Sequence, residues 1–160
     1  MQICILYGSQ TGNSKCIAEE FATRCNDELN IPALCDSLNS IKEDINQLKN
    51  KFELIFVICS TTGNGDVPDN ACQFWKIVKN RALPKTFFEN MKYSVLALGD
   101  TNYDKYCIAG KNIDKRLHEL GGVRCIDLCC VDEASDSEES IAEWLKTALE
   151  YCKNHLSLYP

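Results

Sequence analysis

Six apolar residues in a row, LIFVIC over 54–59, leave no polar face to offer to solvent. Such a run suits a central parallel strand covered by helices on both sides. The rest of the chain alternates around it. Strand-like runs fall at 2–7, 33–36, 94–98 and 124–131, and helical patterns at 14–29, near 41–48, and at 71–78, 108–120 and 138–153. Ile17, Phe21 and Cys25 share one face of the first helix, and Phe74, Ile77 and Val78 are spaced for burial in the third. Ile141, Trp144, Leu145, Ala148 and Leu149 turn inward from the last, and Gly121-Gly122 stops the helix before it. Strands alternating with helices over the whole length predict an α/β fold on a five-stranded parallel sheet. A length of 160 residues, with no repeat, low-complexity tract or linker, predicts one domain over 1–160.

Composition narrows the partners. A formal charge of -6 argues against nucleic acid and anionic membrane and favours a basic protein surface. No apolar stretch approaches the ~20 residues needed to cross a bilayer. Most of the eleven cysteines, without a C-x-x-C pair or a leader peptide, read as small core residues in a reducing, cytoplasmic setting. A zinc site has little support, and no metal is expected.

In open parallel sheets, ligands bind beyond the carboxyl ends of the strands. The loops expected there are unusual. After the first strand comes Gly8-Ser9-Gln10-Thr11-Gly12-Asn13-Ser14, which offers backbone N–H groups, hydroxyls and a helix start, with no Lys or Arg. That combination suits a phosphate dianion on a resident cofactor. The same residues could merely cap the helix. After the third strand comes Ser60-Thr61-Thr62-Gly63-Asn64-Gly65-Asp66, whose two glycines permit close backbone approach to a ligand. After the fourth come Gly99, Asp100, Tyr103, Asp104, Tyr106 and Cys107, with two aromatics in a polar loop. Asp132, Glu133, Asp136, Glu138 and Glu139 follow the fifth strand, where acids also serve simply to start a helix.

The segments GSQTGNS, STTGNGDVPDN and LGDTNYDKYCIAGKNIDKRLHELG together resemble the FMN domain of the NADPH-dependent diflavin reductases, a flavodoxin-like fold. The last segment is the most specific of the three. Within that family the chain is most similar to cytosolic members, of the methionine synthase and iron–sulfur assembly reductase types; cytochrome reductases usually begin with a membrane anchor. The resemblance implies a three-layer fold with strand order 2-1-3-4-5 and non-covalent FMN. Ser9, Gln10, Thr11, Gly12, Asn13 and Ser14 would wrap the phosphate. Ser60, Thr61, Thr62 and Gly63 would lie along one face and edge of the flavin ring, with Gly63, Asn64 and Gly65 near its reactive edge. Leu98, Gly99, Asp100, Tyr103, Tyr106 and Cys107 would cover the other face, Tyr103 by stacking, with Asp132 near the ring edge. Two positions depart from the family pattern: Thr62 stands where many relatives carry a second aromatic, and Cys107 where Asn is common.

The implied activity is single-electron relay from a reduced FAD/NADPH reductase domain, on the same or a separate chain, to a basic redox protein carrying haem, an iron–sulfur centre or cobalamin. Asp66, Asp69, Asp100, Asp104, Asp132 and Glu133 would attract that acceptor and disfavour extra negative charge on the flavin. With no FAD or NADPH domain in the sequence, the chain is expected to be an excised or split domain or a free-standing shuttle. A non-redox interaction module on the same fold is the reading from another class. A phosphorylatable receiver domain is disfavoured, because Ser9-Gln10-Thr11 and Ser60-Thr61-Thr62 stand where it needs carboxylates.

Overall fold

The computed structural model describes residues 3–135 and 137–156; Gln2 of the first expected strand and Asp136 of the acidic run lie outside the described residues. The chain runs β1 (Ile3–Gly8), α1 (Asn13–Leu29), β2 (Ala33–Ser37), a single-turn α2 (Gln47–Asn50), β3 (Leu54–Ser60), α3 (Cys72–Val78), β4 (Lys92–Gly99), α4 (Ile108–Glu119), β5 (Val123–Arg124), β6 (Cys129–Asp132) and α5 (Ser137–His155). All strand pairs are parallel, in the order β2-β1-β3-β4-β5, with β6 continuing on the same edge of β4.

Burial on both sides of the sheet explains the apolar run in β3. Every residue of β3 is buried. Ile3, Ile5, Phe56 and Ile58 face α1 and α5, while Cys4, Leu6, Ile55 and Val57 face the layer built by α3 and α4. This is the two-residue period of a strand sandwiched between helices. On the first side Phe21, Phe56 and Trp144 meet edge to face, with centroids 4.8, 5.5 and 6.0 Å apart. That geometry is favoured by the aromatic quadrupole.

Two elements differ from expectation. The single fifth strand at 124–131 is two pieces. Tyr93 pairs with Arg124 and Leu96 with Cys129, so three steps along β4 oppose five along the edge. Two residues are thus looped out, and the Ser94 hydroxyl donates to the Ile126 carbonyl at 3.3 Å beside them. A bulge of this kind blunts an edge strand against unwanted pairing. The helix expected near 41–48 is instead a 3₁₀ turn at Leu38–Ile41 and the single turn of α2. Leu38, Ile41, Ile45 and Leu48 are buried. The connecting N–H groups nevertheless bond three residues back, as in Asp44 to Ile41 and Leu48 to Ile45, which tightens the coil.

The GK-x-x-DKRL segment proves to be structural. A Cβ at Gly110 would collide with Ala97, so α4 lies directly on β4. Asp114, nearly buried, receives Arg124 at 2.8 and 3.0 Å and ties α4 to β5. Arg116 reaches the carbonyls of Val78 and Asn80 at 2.6 and 2.9 Å and closes the end of α3. The result is a firm platform beneath the loop between β4 and α4. Among the described residues, no helix is long and apolar enough to cross a membrane.

Candidate functional site

The loops after β1, β3, β4 and β6 meet at one end of the sheet. Gly12 takes a positive φ of 97° and turns the chain into α1. A Cβ there would meet nothing within 4 Å, so the space before this helix start is open. The first helical bond runs from Cys16 N–H to the Gly12 carbonyl at 3.0 Å. The N–H groups of Asn13, Ser14 and Lys15 therefore lie outside the helical ladder. No side chain caps them. Ser9 uses its hydroxyl to accept from Gly12 N–H at 2.8 Å, and its own N–H is held by the Asn70 side chain at 2.8 Å. Gln10 exchanges longer contacts with Asp69, at 3.3 and 3.5 Å. Gln10, Thr11 and Asn13 are exposed.

Ser14 and Ser60 are buried, with their hydroxyl oxygens 2.7 Å apart, which joins the first loop to the second. One hydroxyl donates to the other, so the accepting one keeps its own hydrogen, and the Ser14 N–H is also available to a ligand. In the second loop Thr62 closes a turn. Its N–H donates to the Asp66 carbonyl at 3.0 Å, its carbonyl accepts from Gly65 N–H at 2.9 Å, and its hydroxyl accepts from Asp66 N–H at 3.1 Å. Gly65 completes the turn with a positive φ of 85°. The Thr61 hydroxyl accepts from Ala109 N–H at 3.2 Å and pins the loop to α4. Gly63 and Asn64 project into solvent.

Tyr103 is 55% exposed and stands across from Gly63, 3.8 Å from where a Cβ would be. It walls a cleft of about 100 Å³ with Thr61, Thr62, Gly63, Gly99 and Asp100. Lys105 and Glu133 complete the lining; Glu133 is one of the acids expected around the flavin, whereas Lys105 does not stand out in the sequence as a cleft residue. Lys105 packs over Gly65, and Glu133 accepts from the Asn13 amide at 2.6 Å, bridging the cleft to the first loop. Asn70 is likewise an anchor that residue type alone does not disclose.

Three expected site residues act from behind the cleft. Leu98 is fully buried in the sheet. Cys107 is also buried and starts α4 with a positive φ of 55°. Its thiol lies 3.5 Å from the Ala97 carbonyl and 3.7 Å from that of Val131, and burial pushes its pKa up to about 12, so it stays protonated as a donor. Asp132 accepts from the Thr101 hydroxyl at 2.6 Å, from Thr101 N–H at 3.1 Å and from Ala134 N–H at 3.0 Å. The Thr101 hydroxyl, followed by the two backbone donors, holds its carboxyl below the usual carboxylate range. Asp132 thus fastens the third loop to β6. Tyr106 is half-buried, with the Lys111 ammonium 5.3 Å from its ring centroid and its own hydroxyl pKa raised by burial.

Three N–H groups at an uncapped helix start, open space before them and a first loop without cations fit a phosphate dianion. Tyr103 offers an exposed aromatic face for stacking a flat group; at 3.8 Å from the Gly63 Cβ position it is already in contact range, so a ring enters between them only if the two loops part. The donor set and the exposed ring are therefore compatible with FMN.

Comparison with known proteins identifies the family. The flavodoxin family profile matches residues 5–144. The chain is 40% identical over 149 residues to the sulfite reductase (NADPH) flavoprotein alpha-component of Bacillus subtilis, covering 93% of this chain and 23% of that protein. It is 37% identical over 142 residues to methionine synthase reductase of Homo sapiens, covering 88% of this chain and 20% of that protein. The chain thus spans a fifth to a quarter of the length of these relatives. Oxidised flavodoxin 1 from Bacillus cereus superposes with a TM-score of 0.75 at 20% identity, over 98% of this chain and 100% of that one, and shows the shared fold. The chain belongs to the flavodoxin family, as an FMN domain of the kind that diflavin reductases carry.

Proposed function

We propose that this domain, one unit over residues 1–160, holds FMN in the three-loop cleft. There it relays single electrons from a reduced FAD/NADPH reductase module to a basic protein acceptor in the cytoplasm. Bound FMN supplies the ability to take up two electrons and give them out singly. The observation that carries the reading is the convergence of the uncapped start of α1 and the Tyr103–Gly63 cleft at the same end of the sheet.

In this reading Asn13, Ser14 and Lys15 donate backbone N–H groups to the phosphate, and the exposed Thr11 hydroxyl adds a further donor. Tyr103 covers one ring face, while the turn Thr62–Asp66 presents backbone to the reactive edge. Asp132 and Cys107 hold the third loop in place. Exposed Asp66, Asp69, Asp104 and Glu133 surround the cleft and draw in a basic partner. The relatives' names include a flavoprotein component that uses NADPH and a reductase of methionine synthase, which supports a reductase module and a protein acceptor here. Eleven free thiols support a reducing compartment.

The test is a titration of apo-protein with FMN and with riboflavin, followed by flavin fluorescence. One FMN per chain, bound at least tenfold more tightly than riboflavin, is the expected result. Equal affinity for the two flavins would show that the start of α1 does not hold phosphate. Failure to bind either would leave the fold as an interaction module.

A further inference from the structure

A second recess lies on the outer edge of the sheet, away from the Tyr103 cleft. It measures about 540 Å³ and runs between the looped-out edge, with Ile126, Asp127 and Cys129, and the first half of α5, with Glu139, Glu143 and Trp144. That volume is within the range of about 300–1,000 Å³ seen for ligand sites. Its floor is apolar. Asp127, Glu139 and Glu143 are exposed at its lip, and no Lys or Arg lines it. Trp144 beneath it is only 4% exposed, and its indole Nε1 has no hydrogen-bond partner, which leaves a donor buried where an acceptor is missing.

Glu139 also borders a recess formed with Ser135, Ser137 and Glu138, and Glu133 just ahead of it lines the Tyr103 cleft. Acidic side chains therefore stand at both the cleft and the groove. A carboxylate lip over an apolar floor is complementary to side chains that carry a cation on an aliphatic stem.

We propose that this groove is a second anchor for the basic partner, taking a segment in which Lys or Arg flank an aliphatic residue. The cations meet Asp127, Glu139 and Glu143, and the aliphatic side chain rests on Ile126 and Cys129. This assignment rests on the reading of a basic acceptor, but its test is independent of electron transfer. It places recognition on two sites, so a partner can hold to the groove while its redox centre explores the cleft.

The probe is the peptide acetyl-Lys-Leu-Arg-Leu-Lys-amide, titrated into a Trp75→Phe protein so that Trp144 is the remaining tryptophan. The expected result is a saturable change in Trp144 emission, absent with acetyl-Glu-Leu-Glu-Leu-Glu-amide and with free arginine. Asp127→Asn, Glu139→Gln and Glu143→Gln together should weaken the peptide at least tenfold while FMN titration is unchanged, which shows the fold is intact. Asp66→Lys with Asp104→Lys, at the cleft rim, should weaken it less than threefold. An unchanged peptide affinity in the groove variant would overturn the proposal. So would equal loss in the rim variant, which would mean diffuse charge attraction, or an equal response to free arginine.

Discussion

Each side chain at the site has one of two jobs, facing the ligand space or holding the loops that do. Tyr103 belongs to the first group. A stacked aromatic pair contributes about 0.5–1.5 kcal/mol beyond the surface it buries, and the ring also shields apolar area from water. Tyr103→Ala should therefore weaken FMN at least tenfold, tenfold being about 1.4 kcal/mol, as read by titration of apo-protein. Affinity equal to wild type would mean that another residue covers the ring. Ser14 belongs to the second group. Because its hydroxyl is paired with that of Ser60 in a buried setting, Ser14→Ala leaves a buried polar group alone. It should lower the stability of the apo-protein by about 1–3 kcal/mol in urea unfolding. Thr11→Ala, at an exposed position, should leave that stability unchanged. Tyr103 was legible in the sequence as an aromatic stranded in a polar loop. The Ser14–Ser60 pairing was not, since its partners are 46 residues apart and their types fit a phosphate loop equally well.

At the scale of elements, the alternation of parallel strands and helices and the central place of β3 followed from periodicity and apolar runs, because burial on two faces leaves a direct mark on composition. The strand order, in contrast, came only with the family resemblance. Breaks within elements left a weaker mark. The apolar spacing at Leu38, Ile41, Ile45 and Leu48 is helical, yet the turn is wound more tightly than an α-helix, a difference of hydrogen-bond partner that spacing does not record. The split between β5 and β6 depends on register against β4, which no local pattern encodes. Asp132 shows what such an element boundary does. Its carboxylate ties the third loop to β6, and hydrogen bonding holds its pKa below the ordinary value of about 3.9. A depressed pKa stabilises the fold fully above the ordinary value, and that contribution is lost as pH falls through the depressed one. Amide-exchange protection at Thr101 and Ala134 should accordingly be constant at neutral pH and fall away in acid, below about pH 4. Asp132→Ala should lack that protection already at pH 7. Protection that is unaffected by the substitution would mean the loop is held by other contacts.

For the whole molecule, the net charge is -6, and Asp66, Asp69, Asp104 and Glu133 are all exposed around the cleft. Surface attraction is screened beyond roughly 8 Å at physiological ionic strength. Electron transfer to a basic acceptor should slow as salt rises, and Asp66→Lys with Asp104→Lys should slow it at low salt and flatten that dependence. A salt-insensitive rate, unchanged by the reversal, would make these residues an ordinary solvated surface. One FMN is expected where the α1 start and the Tyr103 cleft converge. The most direct measurement is the backbone amide spectrum of isotopically labelled apo-protein as FMN is added. The largest shifts are expected at Asn13, Ser14, Lys15, Gly63, Gly65 and Tyr103, with Cys129 and Thr147 at the outer groove nearly unmoved. Shifts centred on that groove, or spread without focus over the surface, would contradict this placement of FMN.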